Sequence, residues 1–225
     1  MPPMFLATSG RRESYEEAGR RGLGIVTNLM NQTVPELAEN IGHYRKAREQ
    51  HGLAPDDGRV TVLLHTYLGD DHATARAQAL EPMTRYLRSS LQMRSAASTL
   101  GGDPRDVAAA SDEDLEYLFR RAYDRYCDER ALIGTPDSCA PVVRALHEAG
   151  VDEIAALVDF GMPVDLMRSG LEHLDALRGR HQEPGPAAAR PDADVSTASA
   201  VSTGSDVSAP ATDTQRRLWL AAQLI

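Results

Sequence analysis

The sequence predicts an α/β fold built on a parallel sheet, and three observations carry the prediction. Apolar runs of strand length alternate with longer amphipathic stretches from Met4 to Leu177. Val60-Thr61-Val62-Leu63-Leu64-His65-Thr66-Tyr67 is β-branched and apolar on both faces, as a strand covered on both sides must be. Helix start and stop residues fall where the alternation needs them: Thr33 ahead of Val34-Pro35-Glu36, Gly52 after His51, Thr135 ahead of Pro136, Gly150 after Ala149.

Taken in order, Met4 to Thr8 is a short strand and Arg12 to Arg21 a helix stopped by Gly22. Gly24 to Leu29 is the second strand. Val34 to His51 is a strong helix, with Thr33 as its cap. Arg59 to Leu68 is the clearest strand. Asp71 to about Met93 is a long helix with a break expected at Pro82. Ser95 to Ser111 is small and polar, an excursion or loop. Asp112 to Leu132 is helical, with Leu115, Leu118, Phe119, Ala122 and Tyr126 on one stripe. Pro136 to Ala149 is a helix, Glu153 to Phe160 a fourth strand, and Pro163 to Leu177 the last helix. Four βα units with right-handed crossovers amount to half of a (β/α)8 TIM-type barrel, so the expected fold is a partial barrel.

Composition narrows the function. The chain has 225 residues, 42% of them hydrophobic, enough for one core with an appendage. Its net charge of -9, from 24 basic and 33 acidic residues, argues against a broad nucleic-acid surface. No apolar run reaches the roughly 18 residues that span a bilayer. The N-terminal Met-Pro-Pro-Met-Phe-Leu has no basic region of a signal peptide, so a cytoplasmic location is expected. Cys127 and Cys139 make neither a disulfide framework nor a metal site. Lys46 is the only lysine, a coding bias of GC-rich genomes. No Gly-x-Gly-x-x-Gly follows a strand, which leaves a Rossmann dinucleotide site without its main support.

The tail differs from the body. Residues 1–180 carry the βα pattern, whereas 181–212 are rich in Pro, Ala, Ser, Thr, Gly and Asp and read as a disordered linker. Residues 213–225 hold a short amphipathic helix pattern with the only Trp, Trp219. A linker leading into so short a stretch suggests a second domain cut off after its start.

Three stretches together resemble the luciferase-like flavin monooxygenases, most closely the branch associated with nonribosomal peptide and polyketide synthases. The first is Pro3-Met4-Phe5-Leu6-Ala7-Thr8-Ser9-Gly10, with Ala18-Gly19 and Gly24-Ile25-Val26-Thr27-Asn28-Leu29 following. The second is Ile41-Gly42-His43-Tyr44-Arg45-Lys46-Ala47-Arg48, leading to Gly58-Arg59-Val60 and on to Tyr67-Leu68-Gly69. The third is Leu132-Ile133-Gly134-Thr135-Pro136-Asp137-Ser138-Cys139, then Ala149-Gly150-Val151-Asp152-Glu153 through Phe160-Gly161. The resemblance covers the second half of the family's barrel, from near its fifth strand. It implies a monooxygenase using reduced flavin mononucleotide (FMN) and O2 on an acyl or aminoacyl chain held by a carrier protein. It also implies partners: a flavin reductase, and the missing N-terminal half or a second copy to close the barrel. The tail from Thr214 to Leu224 resembles the opening of a condensation domain of a peptide synthetase.

The resemblance places Thr8, Ser9 and Gly10, with Ser14 near them, at the flavin phosphate. Hydroxyls, backbone N–H groups and a helix N-terminus suit a phosphate, and Arg11 and Arg12 add positive charge. The alternative is an ordinary βα turn with a helix cap. His65 ends the best strand, where barrel enzymes collect their chemistry, and is the candidate catalytic residue. It is equally a core histidine with a satisfied hydrogen bond. Tyr67, Asn28 and Asp159 share that end. Asp152-Glu153 lies at the opposite one. Cys139, just inside a helix start, could have a lowered pKa, but a nucleophilic role is expected of neither it nor Cys127. The aromatic group Tyr117, Phe119, Tyr123 and Tyr126 reads as core or interface. Two other classes remain beside the enzyme: a non-catalytic half-barrel or synthase interaction module, and a small α/β phosphoester-binding protein.

Overall fold

The strand-forming runs pair side by side and all in one direction. The structure is a computed structural model that describes residues 2–90 and 112–181. Its strands are β1 (Phe5–Ala7), β2 (Gly24–Asn28), β3 (Val60–Leu68), β4 (Leu132–Gly134) and β5 (Glu153–Leu157). Its helices are α1 (Arg12–Arg21), α2 (Val34–Gln50), α3 (His72–Ser90), α4 (Asp112–Glu129), α5 (Pro136–Glu148) and α6 (Val164–His181), with a 3-10 turn at Pro55–Asp57. This is the α/β fold with a parallel sheet that the alternation of patterns predicts.

β3 is the hub. Its first half pairs with β2 along one edge (Ile25↔Val60 to Asn28↔Leu63) and with β5 along the other (Thr61↔Glu153 to His65↔Leu157). Its last residues, Thr66–Leu68, pair with β4, and β1 lies outside β2. A strand with neighbours on both edges must be long and β-branched, as Val60–Leu68 is.

Two apolar clusters flank the sheet. The first gathers Ile25, Val60, Val62, Leu64 and Leu68 against Tyr15, Leu37, Ile41 and Tyr44 of α1 and α2, and against Val142, Leu146 and Leu177 of α5 and α6. The second gathers Tyr67, Phe160 and Ile133 with Ala79 and Met83 of α3 and Phe119, Tyr123 and Tyr126 of α4. Each fully buried Leu, Ile or Tyr here contributes on the order of 1.5–3 kcal/mol relative to exposure. α1 approaches α2 closely at Gly19, where a Cβ would stand 2.5 Å from the Tyr44 carbonyl oxygen.

The caps explain where the helices begin. The Thr33 hydroxyl accepts from the Glu36 amide, and the Glu36 carboxylate accepts from the Thr33 amide at 2.7 Å. Thr135 and Ser138 repeat this reciprocal box at α5. Gly22 ends α1 at φ +69°, a left-handed position that suits glycine.

Four expectations are corrected. The sheet has five strands rather than four, because Leu132–Gly134 forms β4. The helix read as running to Leu132 stops at Glu129. The reason is alternation: Leu132 enters the first cluster and Ile133 the second, which a strand allows and a helix does not. Pro82 does not break α3, which runs through it from His72 to Ser90. Helix α6 extends through His181. The polar excursion at 95–111, nearly all of the linker and the terminal helix pattern at 213–225 lie outside the described residues. Among the described helices none is long and apolar enough to cross a membrane.

Candidate functional site

Because every strand runs the same way, the carboxyl ends of β1, β2, β3 and β5 share one edge of the sheet. The segments leaving that edge carry Thr8-Ser9-Gly10, Asn28 to Gln32, Tyr67 and Asp159. Open α/β sheets and barrels bind ligands there, since loops at that edge are free to diverge.

Thr8, Ser9 and Gly10 form the turn from β1 into α1, all partly buried. Ser14 sits in the first turn of α1, also partly buried. The Thr8 amide is spent on the Val26 carbonyl at 2.9 Å, and its hydroxyl makes no hydrogen bond among the described residues. No backbone carbonyl among the described residues takes the Ser9 or Gly10 amide. The residue capping α1 is Arg11, whose side chain makes no capping hydrogen bond, so among the described residues the positive end of the helix has no side-chain cap. Gly10 has φ +106°, a conformation that suits glycine. Hydroxyls, unspent amides and an uncapped helix start fit a phosphate group.

A buried polar network that sequence reading missed holds this turn. Asn40 of α2 donates its side-chain amide to the Gly10 carbonyl and to Gln32 Oε1, each at 3.2 Å. Gln32 Nε2 donates to Thr27 Oγ1 at 2.8 Å and to the Asn28 carbonyl at 2.9 Å. The Tyr15 hydroxyl reaches Thr27 Oγ1 at 3.1 Å, joining α1 to β2. The one signal for this network was Asn40 itself, a polar residue on the apolar stripe Leu37, Ile41 and Tyr44.

His65 points away from the first cluster and is 4% exposed. Its Nδ1 is 2.8 Å from the Tyr126 hydroxyl, and its Nε2 is sealed, with no hydrogen-bond partner among the described residues. Tyr86, Tyr126 and Phe160 stand edge-on around the ring at 5.1, 5.9 and 5.5 Å. Desolvation lowers its pKa from 6.5 to about 4, so the imidazole is neutral at pH 7. Its one hydrogen bond among the described residues is the satisfied contact of a core histidine, and a role toward a ligand would need the sealed Nε2 to become accessible.

Tyr67 and Asn28 are engaged within the fold. The Tyr67 hydroxyl donates to Gln78 Oε1 at 2.6 Å, and Asn28 Oδ1 accepts from the Met30 amide at 2.9 Å. Asp159 is exposed. At the opposite edge Asp152 accepts from the Val60 amide at 2.7 Å, and Glu153 pairs with Arg59 at 2.6 Å. Neither cysteine is a poised thiolate: burial pushes the Cys139 thiol up to about 11, against the Ser138 hydrogen bond, and the Cys127 thiol up to about 12. Phe119, Tyr123 and Tyr126 are core residues.

The face of the sheet opposite the first cluster is only half covered. Phe5, Val26 and Leu63 alternate with the inward-facing Leu6–Ile25–Val60 row and with Val62 and are partly exposed, and Ala7 is exposed. Apolar residues on an interior-type face normally meet a partner layer.

The fold agrees with the comparisons. A family model described as luciferase-like monooxygenase matches residues 1–153. The chain belongs to the luciferase-like monooxygenase family. Monooxygenase RslO1 from Streptomyces bottropensis is similar at 22% identity and TM-score 0.50, over 78% of this chain and 48% of its own. The oxygenating constituent of 3,6-diketocamphane monooxygenase from Pseudomonas putida, in complex with FMN, is similar at 21% identity and TM-score 0.51, over 69% of this chain and 42% of its own. An F420-dependent secondary alcohol dehydrogenase is similar at 14% identity and TM-score 0.51, over 79% of this chain and 49% of its own. These likenesses show the fold. The chain spans about half the length, or less, of these solved structures. Nothing among the curated proteins matches it.

Proposed function

We propose that the chain is the second half of a (β/α)8 barrel of a flavin-dependent luciferase-like monooxygenase. Its substrate is an acyl or aminoacyl chain on a carrier protein in nonribosomal peptide or polyketide biosynthesis. The single observation that carries the reading is the turn Thr8-Ser9-Gly10. It leaves a strand at the carboxyl edge, opens an uncapped helix and lies within the family match. The solved neighbours that name FMN or F420 support a flavin-type cofactor, and the resemblance selects FMN.

In this reading the hydroxyls of Thr8, Ser9 and Ser14 and the amides of Ser9 and Gly10 donate to the phosphate. Asn40 fixes the Gly10 carbonyl so that the turn keeps its shape. For His65 to orient substrate or flavin, its sealed Nε2 has to become accessible when the ligand binds. Reduced flavin, when bound, supplies the electrons that place one atom of O2 in the substrate and release the other as water. The half-covered sheet face takes either the missing N-terminal half or a second copy, and a reductase delivers reduced flavin.

The test is titration of the purified chain with oxidised and reduced FMN, alone and with the missing half supplied as a second polypeptide. Binding is expected only after complementation. Tight binding by the chain alone would overturn the half-barrel reading. The second reading, a non-catalytic half-barrel or interaction module, is favoured by the same half-covered face. No binding in either titration would put that reading first.

A further inference from the structure

Among the described residues, Arg130 is a buried arginine with no hydrogen-bond or ion-pair partner for its side chain. It follows the last turn of α4 and is 8% exposed. Its Nε is sealed from solvent and has no hydrogen-bond acceptor. Its guanidinium makes no ion pair among the described residues. Guanidinium groups that leave water are normally matched by carboxylates, carbonyls or bound anions, because an unmatched buried charge is costly.

The acids near it are engaged or face outward. Glu36 feels its charge, but its carboxylate is closed onto the Thr33 amide and hydroxyl at 2.7 and 2.8 Å. Asp128 pairs with Arg76, and Glu129 is exposed.

Arg130 lines a cleft of about 500 Å³ between the start of α2, the end of α4 and the side of α5. The cleft is walled by Val34, Pro35, Pro141, Val142 and Ala145, all apolar. Pro35 has no N–H, and the Glu36 and Leu37 amides are already taken by Thr33, so the α2 terminus offers little to a ligand. The one strong recognition group is the guanidinium. Asp128 and Glu129 also line the cleft and repel a second negative charge.

We infer that this cleft binds an organic monocarboxylate with an apolar body, its carboxylate on Arg130 and its chain along Val34, Pro141, Val142 and Ala145. A carboxylate matches the fork of a guanidinium and carries one charge. An apolar chain suits the walls. A phosphate monoester, with nearly two charges, meets the acidic pair. The inference stands apart from the flavin reading, since the cleft is walled by helices rather than by the Thr8-Ser9-Gly10 turn.

The experiment is calorimetric titration of the full chain at pH 7 with octanoate, octanol and octyl phosphate, without flavin. One octanoate per chain is expected, with octanol and octyl phosphate at least about tenfold weaker. Arg130→Gln should weaken octanoate by at least about tenfold, and Arg130→Lys by less. Ala145→Phe, which fills the cleft and leaves Arg130 in place, should abolish binding. It decides the matter if Arg130→Gln fails to fold by circular dichroism. Absence of octanoate binding, equal binding of octanol, tighter binding of octyl phosphate, or unchanged binding by Ala145→Phe would each overturn the inference.

Discussion

The side-chain amide of Asn40 donates to the carbonyl of Gly10 at 3.2 Å, tying the middle of α2 to the turn that opens α1. The same amide reaches Gln32 Oε1, so one residue braces two loops at the carboxyl edge. Replacing it leaves buried acceptors without donors, which costs more than the bond itself gained. Asn40→Asp keeps the shape and loses the donor. Both Asn40→Asp and Asn40→Leu should lower unfolding free energy by about 1–3 kcal/mol in urea denaturation. A loss from Asn40→Leu but none from Asn40→Asp would mean that packing, not donation, matters here.

Much of the fold was legible because single segments declare it. Val60–Leu68 is apolar on both faces, and Thr33-Val34-Pro35-Glu36 carries a full capping box. β4 was not legible. Leu132 and Ile133 continue an apolar stripe from α4 in sequence, and only the two separate cores reveal that they point to opposite sides. At the site, Thr8-Ser9-Gly10 was readable as a strand-to-helix turn. Tyr15, Thr27, Gln32 and Asn40 were not, because their partners lie on different elements and each alone looks like a misplaced polar residue. Arg130 escaped notice for a related reason: burial without a partner is a property of the packed chain.

Glycines of the helices should divide by what surrounds them. A Cβ at Gly19 would stand 2.5 Å from the Tyr44 carbonyl oxygen and 2.9 Å from Ala47 Cβ, so α1 and α2 would have to separate. Gly19→Ala should destabilise by about 1–3 kcal/mol despite its better helix propensity. Gly42, inside α2, has nothing within 4 Å of its built Cβ. Gly42→Ala should stabilise by about 0.5–1 kcal/mol. Melting temperatures of the two variants moving in the same direction would contradict the close approach of α1 to α2.

His65 should make stability fall with acid. In the unfolded chain an imidazole takes a proton below about 6.5, whereas burial among Tyr86, Tyr126 and Phe160 holds the folded one neutral down to about 4. Between those values the unfolded state binds more protons, so stability drops as pH falls and the drop ends near pH 4. The full window is worth about 3 kcal/mol. His65→Phe cannot titrate. It should be less stable at pH 7, because the Tyr126 hydroxyl loses its partner, and should lose less on acidification. The check is urea denaturation of both proteins from pH 7 to pH 4.5. Parallel curves would show that His65 is not held neutral.

At the opposite edge, Asp152 should act as a hydrogen-bonding staple more than as an ion-pair partner. Its carboxylate accepts from the Val60 amide at 2.7 Å, and its own amide donates to the Val60 carbonyl at 3.0 Å, which sets the start of β3 beside β5. It also meets Arg45 at 3.2 Å, but that pair is partly exposed and screened. Arg45 is held independently by the Pro55 carbonyl at 2.6 Å. Asp152→Ala strands the Val60 amide and should cost about 1–2 kcal/mol. Asp152→Asn keeps an acceptor for that amide and gives up the charge, so it should cost under about 1 kcal/mol. High salt should leave the difference between the two variants unchanged, since a backbone hydrogen bond is not screened as an exposed pair is. Equal losses in the two variants, both shrinking with salt, would make the Arg45 pair the dominant contact.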